Sequence, residues 1–296
     1  SIFSCANKRV VEKNSMKLRK VVSSDGLRLN VAECGNEEGP SILFIHGWSQ
    51  SYLCWMNQLE SQLAERFRLV AFDLRGHGAS EAPQEESAYT STAQWADDVK
   101  AVINELGLGK TLLVGWSYGG LVICDYIREY GYDCVSGINF VGATVKLNEA
   151  AIGPFIGPGF YDHFEAATSD NLQLSVDAMR VFVEGCFTKK LSREDYERIL
   201  CFNMTVRPDV RASIAARDLD NSDLLEEISS PVLVSQGEED IVVLPSMAKF
   251  ILDNCGVAEG SYYEGVGHGP LIEDVDRFNA ELTTVVAKVG RPAATR

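Results

Sequence analysis

The chain has 296 residues, 46% of them hydrophobic and 23% charged, enough for one α/β domain carrying an insertion around a sizeable core. Its 42 acidic residues outweigh 27 Lys and Arg, a formal charge of −15 that repels nucleic-acid phosphates and anionic membrane surfaces. Nucleic acid and membrane are thus set aside as partners, and a neutral small molecule is the easier ligand.

In chain order, Leu18–Val22 and Leu27–Ala32, joined by the turn Ser24-Asp25-Gly26, predict an opening hairpin. Short apolar runs suited to central strands follow at Ile42–Ile45, Leu69–Phe72, Thr111–Val114, Ile138–Val141 and Val232–Ser235. Between them Trp55–Arg66, Thr92–Leu106 and Leu121–Tyr130 carry apolar residues at helical spacing, and a last helix is expected over Asp276–Lys288. Strands alternating with helices predict a mostly parallel sheet covered on both faces. The rhythm breaks between residues 143 and 221, which open on a Gly/Pro-rich stretch, Gly153–Gly159. Beyond it the segment reads as helices, such as Asn171–Gly185 and Ser192–Asn203, without a clear strand. This predicts a helical cap over 143–221 set into a core of 16–142 and 222–296. A lid over a site and a plain covering layer fit that composition equally.

The eight cysteines are scattered singly, with no C-x-x-C pair and no Cys/His cluster of zinc-finger spacing. The expectation is free thiols, several acting as small hydrophobes inside helices (Cys124, Cys255), with no metal and no cofactor. Reduced thiols favour a cytoplasmic setting. The opening SIFSCANKRVVEKNSM lacks a continuous apolar run, and no stretch reaches the ~20 apolar residues of a membrane span. Met16 reads as the natural start, with 1–15 a loosely ordered extension.

Chemistry enters at Gly115-Trp116-Ser117-Tyr118-Gly119-Gly120, a G-x-S-x-G between an apolar strand and a helix. That is the context of a nucleophile elbow, where neighbouring backbone comes so close that glycine is needed on both sides of the serine. A serine hydroxyl needs a base. Of the four histidines, His268 lies in the glycine-rich loop Gly265–Pro270, between a strand near Ser261–Tyr263 and the last helix. That places it at a carboxyl strand end, where such sheets keep their sites. His46 and His77 read as loop architecture, and His163 as a surface or lid residue. Of the acids after Val232–Ser235, Asp240 precedes an apolar run that would hold it inward, whereas Glu238 and Glu239 read as solvated charges. Asp240 would fix the histidine tautomer. The expected oxyanion donors are the main-chain N–H groups of Tyr118 and of Trp48, in the loop His46-Gly47-Trp48. Trp116, Phe155, Phe160, Phe164 and Phe182 are candidates to line an acyl pocket, with Trp55, Tyr161 and Phe187 as further aromatics. Plain core packing accounts for such residues as well.

The ordered set FIHGW, DLRGHGAS, GWSYGG, GEED and GHG resembles the α/β-hydrolase superfamily over Lys17–Val289. Within it, the elbow, the cap pattern and the motif order resemble cofactor-free haloperoxidase-like esterases and the α/β-hydrolase type of acyl-homoserine lactonase. In the cap, Phe182–Phe187, Leu191–Tyr196 and Phe202-Asn203 are similar to those relatives. The resemblance implies ester, thioester or lactone hydrolysis with perhydrolase side activity, and no cofactor. Serine at position 117 departs from the aspartate nucleophile of epoxide hydrolases and haloalkane dehalogenases. The reading is therefore a carboxylic-ester or lactone hydrolase with N-acyl-homoserine lactones or short-to-medium acyl esters as candidate substrates. Haloperoxidase or lyase chemistry on the same scaffold, and a ligand receptor without turnover, are the alternatives. Oligomeric state is left open.

Overall fold

Eight strands form one sheet in the computed structural model, which describes residues 16–289. The expected extension over 1–15 lies outside the described residues. The antiparallel pair β1 (Lys17–Val22) and β2 (Arg28–Gly35) is the expected hairpin, and β2 also runs antiparallel to β4 (Arg68–Phe72). From β4 through β3 (Ser41–Ile45), β5 (Thr111–Trp116), β6 (Val135–Val141) and β9 (Val232–Gly237) to β10 (Ala258–Tyr263), neighbours are parallel.

Burial explains the composition of these strands. Every residue of β3 and β5 is buried, because helices cover both faces, and such strands read as continuous apolar runs. The edge strand β1 exposes Lys17, Leu18, Arg19 and Lys20, and charge on an edge discourages pairing with another chain.

The expected continuous helix over Trp55–Arg66 is instead three short pieces, Tyr52–Trp55, Met56–Leu59 and Leu63–Arg66. Ser61 is the physical reason. Its Oγ donates to the carbonyl of Gln58 at 2.7 Å and accepts from the N–H of Leu63 at 3.2 Å, so the side chain replaces a turn of helical bonding. Cys124 lies within the helix Gly119–Tyr130, while Cys255 falls just past the end of Pro245–Asn254. All seven described cysteines are free.

The chain between β6 and β9 contains two strands that its composition does not reveal. β7 (Lys146–Leu147) and β8 (Leu219–Asp220) pair antiparallel and draw its two ends together. Between them lie four insertion helices, Pro158–Ala167, Leu172–Gly185, Arg193–Met204 and Pro208–Ala215. Gly157 precedes the first of them, with Pro158 at its opening turn, where a missing N–H costs nothing. Asn171 and Ser192 cap the second and third through their side chains. No described helix is long and apolar enough to cross a membrane.

Candidate active site

The parallel strands deliver their following loops to one edge of the sheet. Ile45 pairs with Gly115, Trp116 with Val141, and Val141 with Ser235, so residues 46–50, 117, 142 and 238–243 emerge side by side. At the centre, Ser117 has a φ of 57°, the left-handed conformation of a strained strand-to-helix turn. Close approach explains its glycines: a Cβ on Gly115 would stand 2.7 Å from the carbonyl carbon of Gly119. Within Thr111–Gly120 only Ser117 is not fully buried. The turn thus presents one side chain, and it faces a cavity.

That cavity opens to solvent, its free space together with the solvent at its mouth amounting to about 510 Å³, and Ser117, His268, Trp48 and Tyr118 all line it. Gly47 rests on the serine, since a Cβ there would lie 2.9 Å from Cβ of Ser117. Trp48 and Tyr118 donate their main-chain N–H groups to no main-chain carbonyl among the described residues, which leaves both free to serve a ligand.

His268 is buried and its Nδ1 lies 2.7 Å from Oδ2 of Asp240. This contact assigns the proton to Nδ1 and leaves Nε2 as acceptor. Asp240 is held in turn: its Oδ1 accepts from the N–H groups of Val242 and Val243 at 2.8 and 3.0 Å, and Oδ2 from Nε2 of Gln236 at 3.3 Å. Glu238 and Glu239 are exposed. Among the described residues His268 makes its side-chain hydrogen bond to Asp240 and none to Ser117; a nucleophile–base contact of this kind tightens in the substrate complex.

The other two core histidines are fully engaged. His46 places Nδ1 at 2.9 Å from the carbonyl of Gly47, and its Nε2 accepts the N–H of Leu74 at 3.0 Å. His77 does the same with the carbonyl of Arg75 and the N–H of Ser49, at 2.9 and 3.2 Å. Burial pushes the first well below the ordinary histidine range and the second down to about 4. Both are neutral braces for the loop after β3. His163 is half-buried on the first insertion helix.

Of the aromatic candidates, Trp116, Phe160 and Phe182 line the cavity, together with Leu147, Ile156, Ala215, Val242 and Val243. Trp48 meets Phe160 and Phe182 edge-on, with ring centres 5.0 and 5.3 Å apart. Side chains of the insertion thus share one cavity with the serine. Phe155 and Phe164 stand outside this lining. Phe155 packs on Phe250, 5.3 Å away, while Phe164 packs on Phe160 and lies tilted to Trp48, with ring centres 5.6 and 6.4 Å apart. Trp55 is core, tilted against Phe44 and stacked on Phe278, and Tyr161 is exposed. Phe187 lines a separate groove with Lys189, Lys190 and Tyr196.

Three contributors escaped the sequence reading. Gly142, at a φ of 46°, ends β6 so close to the Asp240–His268 pair that a Cβ would lie 3.2 Å from both Asp240 Oδ2 and His268 Nδ1. Its signal was a glycine directly after a central strand. Gln236 supports Asp240 from within β9, and the carbonyl of Cys186 accepts the N–H of His268 at 2.7 Å. Neither had a local signature. Among the described residues, no group of three or more His, Cys, Asp or Glu could hold a metal ion.

Comparison with known proteins places this arrangement. Residues 42–281 match the alpha/beta hydrolase family model, and the chain belongs to that family. It is similar to the structure of the esterase RhEst1 from Rhodococcus sp. ECU1013, with 35% identity and a TM-score of 0.88 over 93% of this chain and 100% of the other. It is 28% identical to the AB hydrolase superfamily protein YisY of Bacillus subtilis, over 88% of this chain and 96% of the relative. Identity is 27% with the non-heme chloroperoxidase of Streptomyces lividans, over 90% and 98%. The likeness to the N-acyl homoserine lactonase AidH, at 20% identity and a TM-score of 0.79 over 95% and 100%, shows the fold alone. Relatives of these kinds support a hydrolytic enzyme on this fold, with ester hydrolysis as its general chemistry.

Proposed function

We propose that the protein is a serine esterase that forms an acyl-enzyme on Ser117. The observation that carries this reading is one serine, held at positive φ, opening into the same cavity as a histidine whose Nδ1 is 2.7 Å from a buried carboxylate. In the first half-reaction the Ser117 oxygen attacks the ester carbonyl carbon while Nε2 of His268 takes the hydroxyl proton. Asp240 holds the ring and stabilises the imidazolium. The N–H groups of Trp48 and Tyr118 receive the oxyanion. Collapse breaks the bond to the alkoxy oxygen, which leaves with the proton from His268. Water then attacks the acyl-serine with His268 as base, releasing the acid and restoring the serine.

A mostly apolar cavity wall that no Asp, Glu, Lys or Arg lines suits a neutral acyl group. Short-to-medium acyl esters and N-acyl-homoserine lactones are the candidate substrates. With a lactone, both halves of the product stay in one molecule, an opened hydroxy acid. The chloroperoxidase likeness favours one side reaction, attack of hydrogen peroxide in place of water on the same acyl-serine to give a peracid.

The test is paired hydrolysis of p-nitrophenyl butyrate and an N-acyl-homoserine lactone by the wild type and Ser117→Ala. Turnover of both, lost in the variant, supports the esterase and brings lactones into its range. Ester turnover alone removes the lactone. Full activity in Ser117→Ala removes the mechanism.

A further inference from the structure

Arg211, on the fourth insertion helix, is completely buried, and burial alone pushes its guanidinium down to about 10. Among the described residues no carboxylate pairs with it. Its donors go instead to neutral acceptors. Nε bonds Oγ of Ser49 at 3.0 Å, Nη1 the carbonyl of Ala167 at 2.8 Å and Oγ of Ser175 at 3.0 Å. Nη2 bonds the carbonyl of Asn203 at 3.0 Å and approaches Sδ of Met204 at 3.8 Å.

Ala167 and Asn203 lie in the last turns of the first and third insertion helices, where the carbonyls carry the negative end of the helix dipole. Those ends replace a counter-ion. With Ser175 on the second helix and Arg211 on the fourth, one guanidinium gathers all four helices.

The remaining bond leaves the insertion and reaches the loop after β3. Ser49 is held at a φ of 59°, its Oγ also donates to the carbonyl of Asn203 at 3.0 Å, and its N–H is fixed by His77. The carbonyl of Arg211 accepts the indole N–H of Trp48 at 2.9 Å. Arg211 therefore grips two successive side chains of the loop that carries the proposed oxyanion donor. A cation left without a carboxylate partner is costly to bury, and packing alone gives no reason for it.

We infer that Arg211 is a positioning residue: it locks the loop Gly47–Ser49 to the insertion and so aims the N–H of Trp48 at the reacting carbonyl. This rests on the esterase reading above, and Arg211 itself touches no substrate.

The test combines steady-state hydrolysis of p-nitrophenyl butyrate with hydrogen exchange over residues 46–51 in Arg211→Met, Arg211→Lys and Ser49→Ala. Arg211→Met and Ser49→Ala should each lower kcat about 10- to 100-fold with KM within about threefold, because the loss falls on the transition state. Exchange over 46–51 should quicken in both, and Arg211→Lys should recover part of kcat. Unchanged kcat with unchanged exchange overturns the inference, as does a rise in KM alone, which would reduce Arg211 to packing. Should Arg211→Met not fold, Ser49→Ala decides, since it leaves the bonds of Arg211 to Ala167, Ser175 and Asn203 in place. Should the wild type turn over no ester, the esterase reading fails by itself and exchange alone decides the role of Arg211.

Discussion

Trp116 donates its indole N–H to the main-chain carbonyl of His268 at 2.8 Å, and the two rings lie 5.5 Å apart. The residue before the candidate nucleophile thus grips the candidate base across 152 positions of sequence. The bond is buried, so losing the donor strands a carbonyl. Trp116→Phe keeps most of the packing and should cost about 1–3 kcal/mol of stability in urea. It should also lower kcat by about 10-fold as the base loses its register. An unchanged kcat in a folded variant would show that this bond supports the fold alone.

Gly142 gives a sharper case. A methyl group there meets the His268 carbonyl at 3.1 Å and both polar atoms of the Asp240–His268 contact at 3.2 Å, and φ is positive as well. Gly142→Ala should cost about 1–3 kcal/mol in thermal or urea unfolding. Esterase kcat/KM should fall about 100-fold or more, through displacement of the pair. Wild-type kcat/KM in this variant would mean that the pair does not contribute to turnover.

These two residues also mark where the sequence stops being legible. Ser117, His268 and Asp240 can be singled out locally, because an elbow needs glycines around its serine and each loop follows its own strand. The sheet was legible for the same reason, since buried parallel strands are short apolar runs. Gly142 and Arg211 reach residues tens to hundreds of positions away, so a chain read locally shows at most a glycine after a strand; Gln236 meets Asp240 only four positions on, yet nothing local marks that bond. The helix break at Ser61 depends on a side chain choosing the backbone over solvent. The aromatic cluster Phe155, Phe160, Phe164 and Phe182 looks uniform in sequence, yet Phe160 lines the cavity while Phe164, one turn further along the same helix face, stands outside its lining.

Asp125 and Arg217 form a buried bidentate pair at 2.8 and 2.9 Å, and Arg217 also reaches the hydroxyl of Tyr118 at 3.1 Å. Burial raises the Asp125 carboxyl to about 6 even with Arg217 beside it. Asp125→Asn leaves the guanidinium buried without its partner. The expected loss is about 3–5 kcal/mol in chemical denaturation. A change within about 0.5 kcal/mol would show the pair to be dispensable.

Stability should depend on acid through His77. Its folded value of about 4 lies below the ordinary 6.5, so the unfolded chain takes up the proton first. The stabilising contribution is therefore present above pH 6.5 and drains away as pH falls towards 4. Burial is the main cause of that depression, and the cationic Arg211 adds to it. The buried carboxyl of Asp125 titrates in the opposite sense over the same range, so the comparison has to be differential. Between pH 7 and pH 4 the stability advantage of the wild type over His77→Gln should shrink by on the order of 3 kcal/mol. An advantage independent of pH would contradict a neutral, buried His77.

The proposed esterase mechanism requires covalent chemistry at the Ser117 oxygen. Incubation with a fluorophosphonate, followed by intact mass and peptide mapping, measures it directly. The account predicts a single adduct on Ser117, loss of ester turnover in step with labelling, and no adduct in Ser117→Ala. Labelling at another residue, or a fully labelled Ser117 with turnover intact, would contradict it.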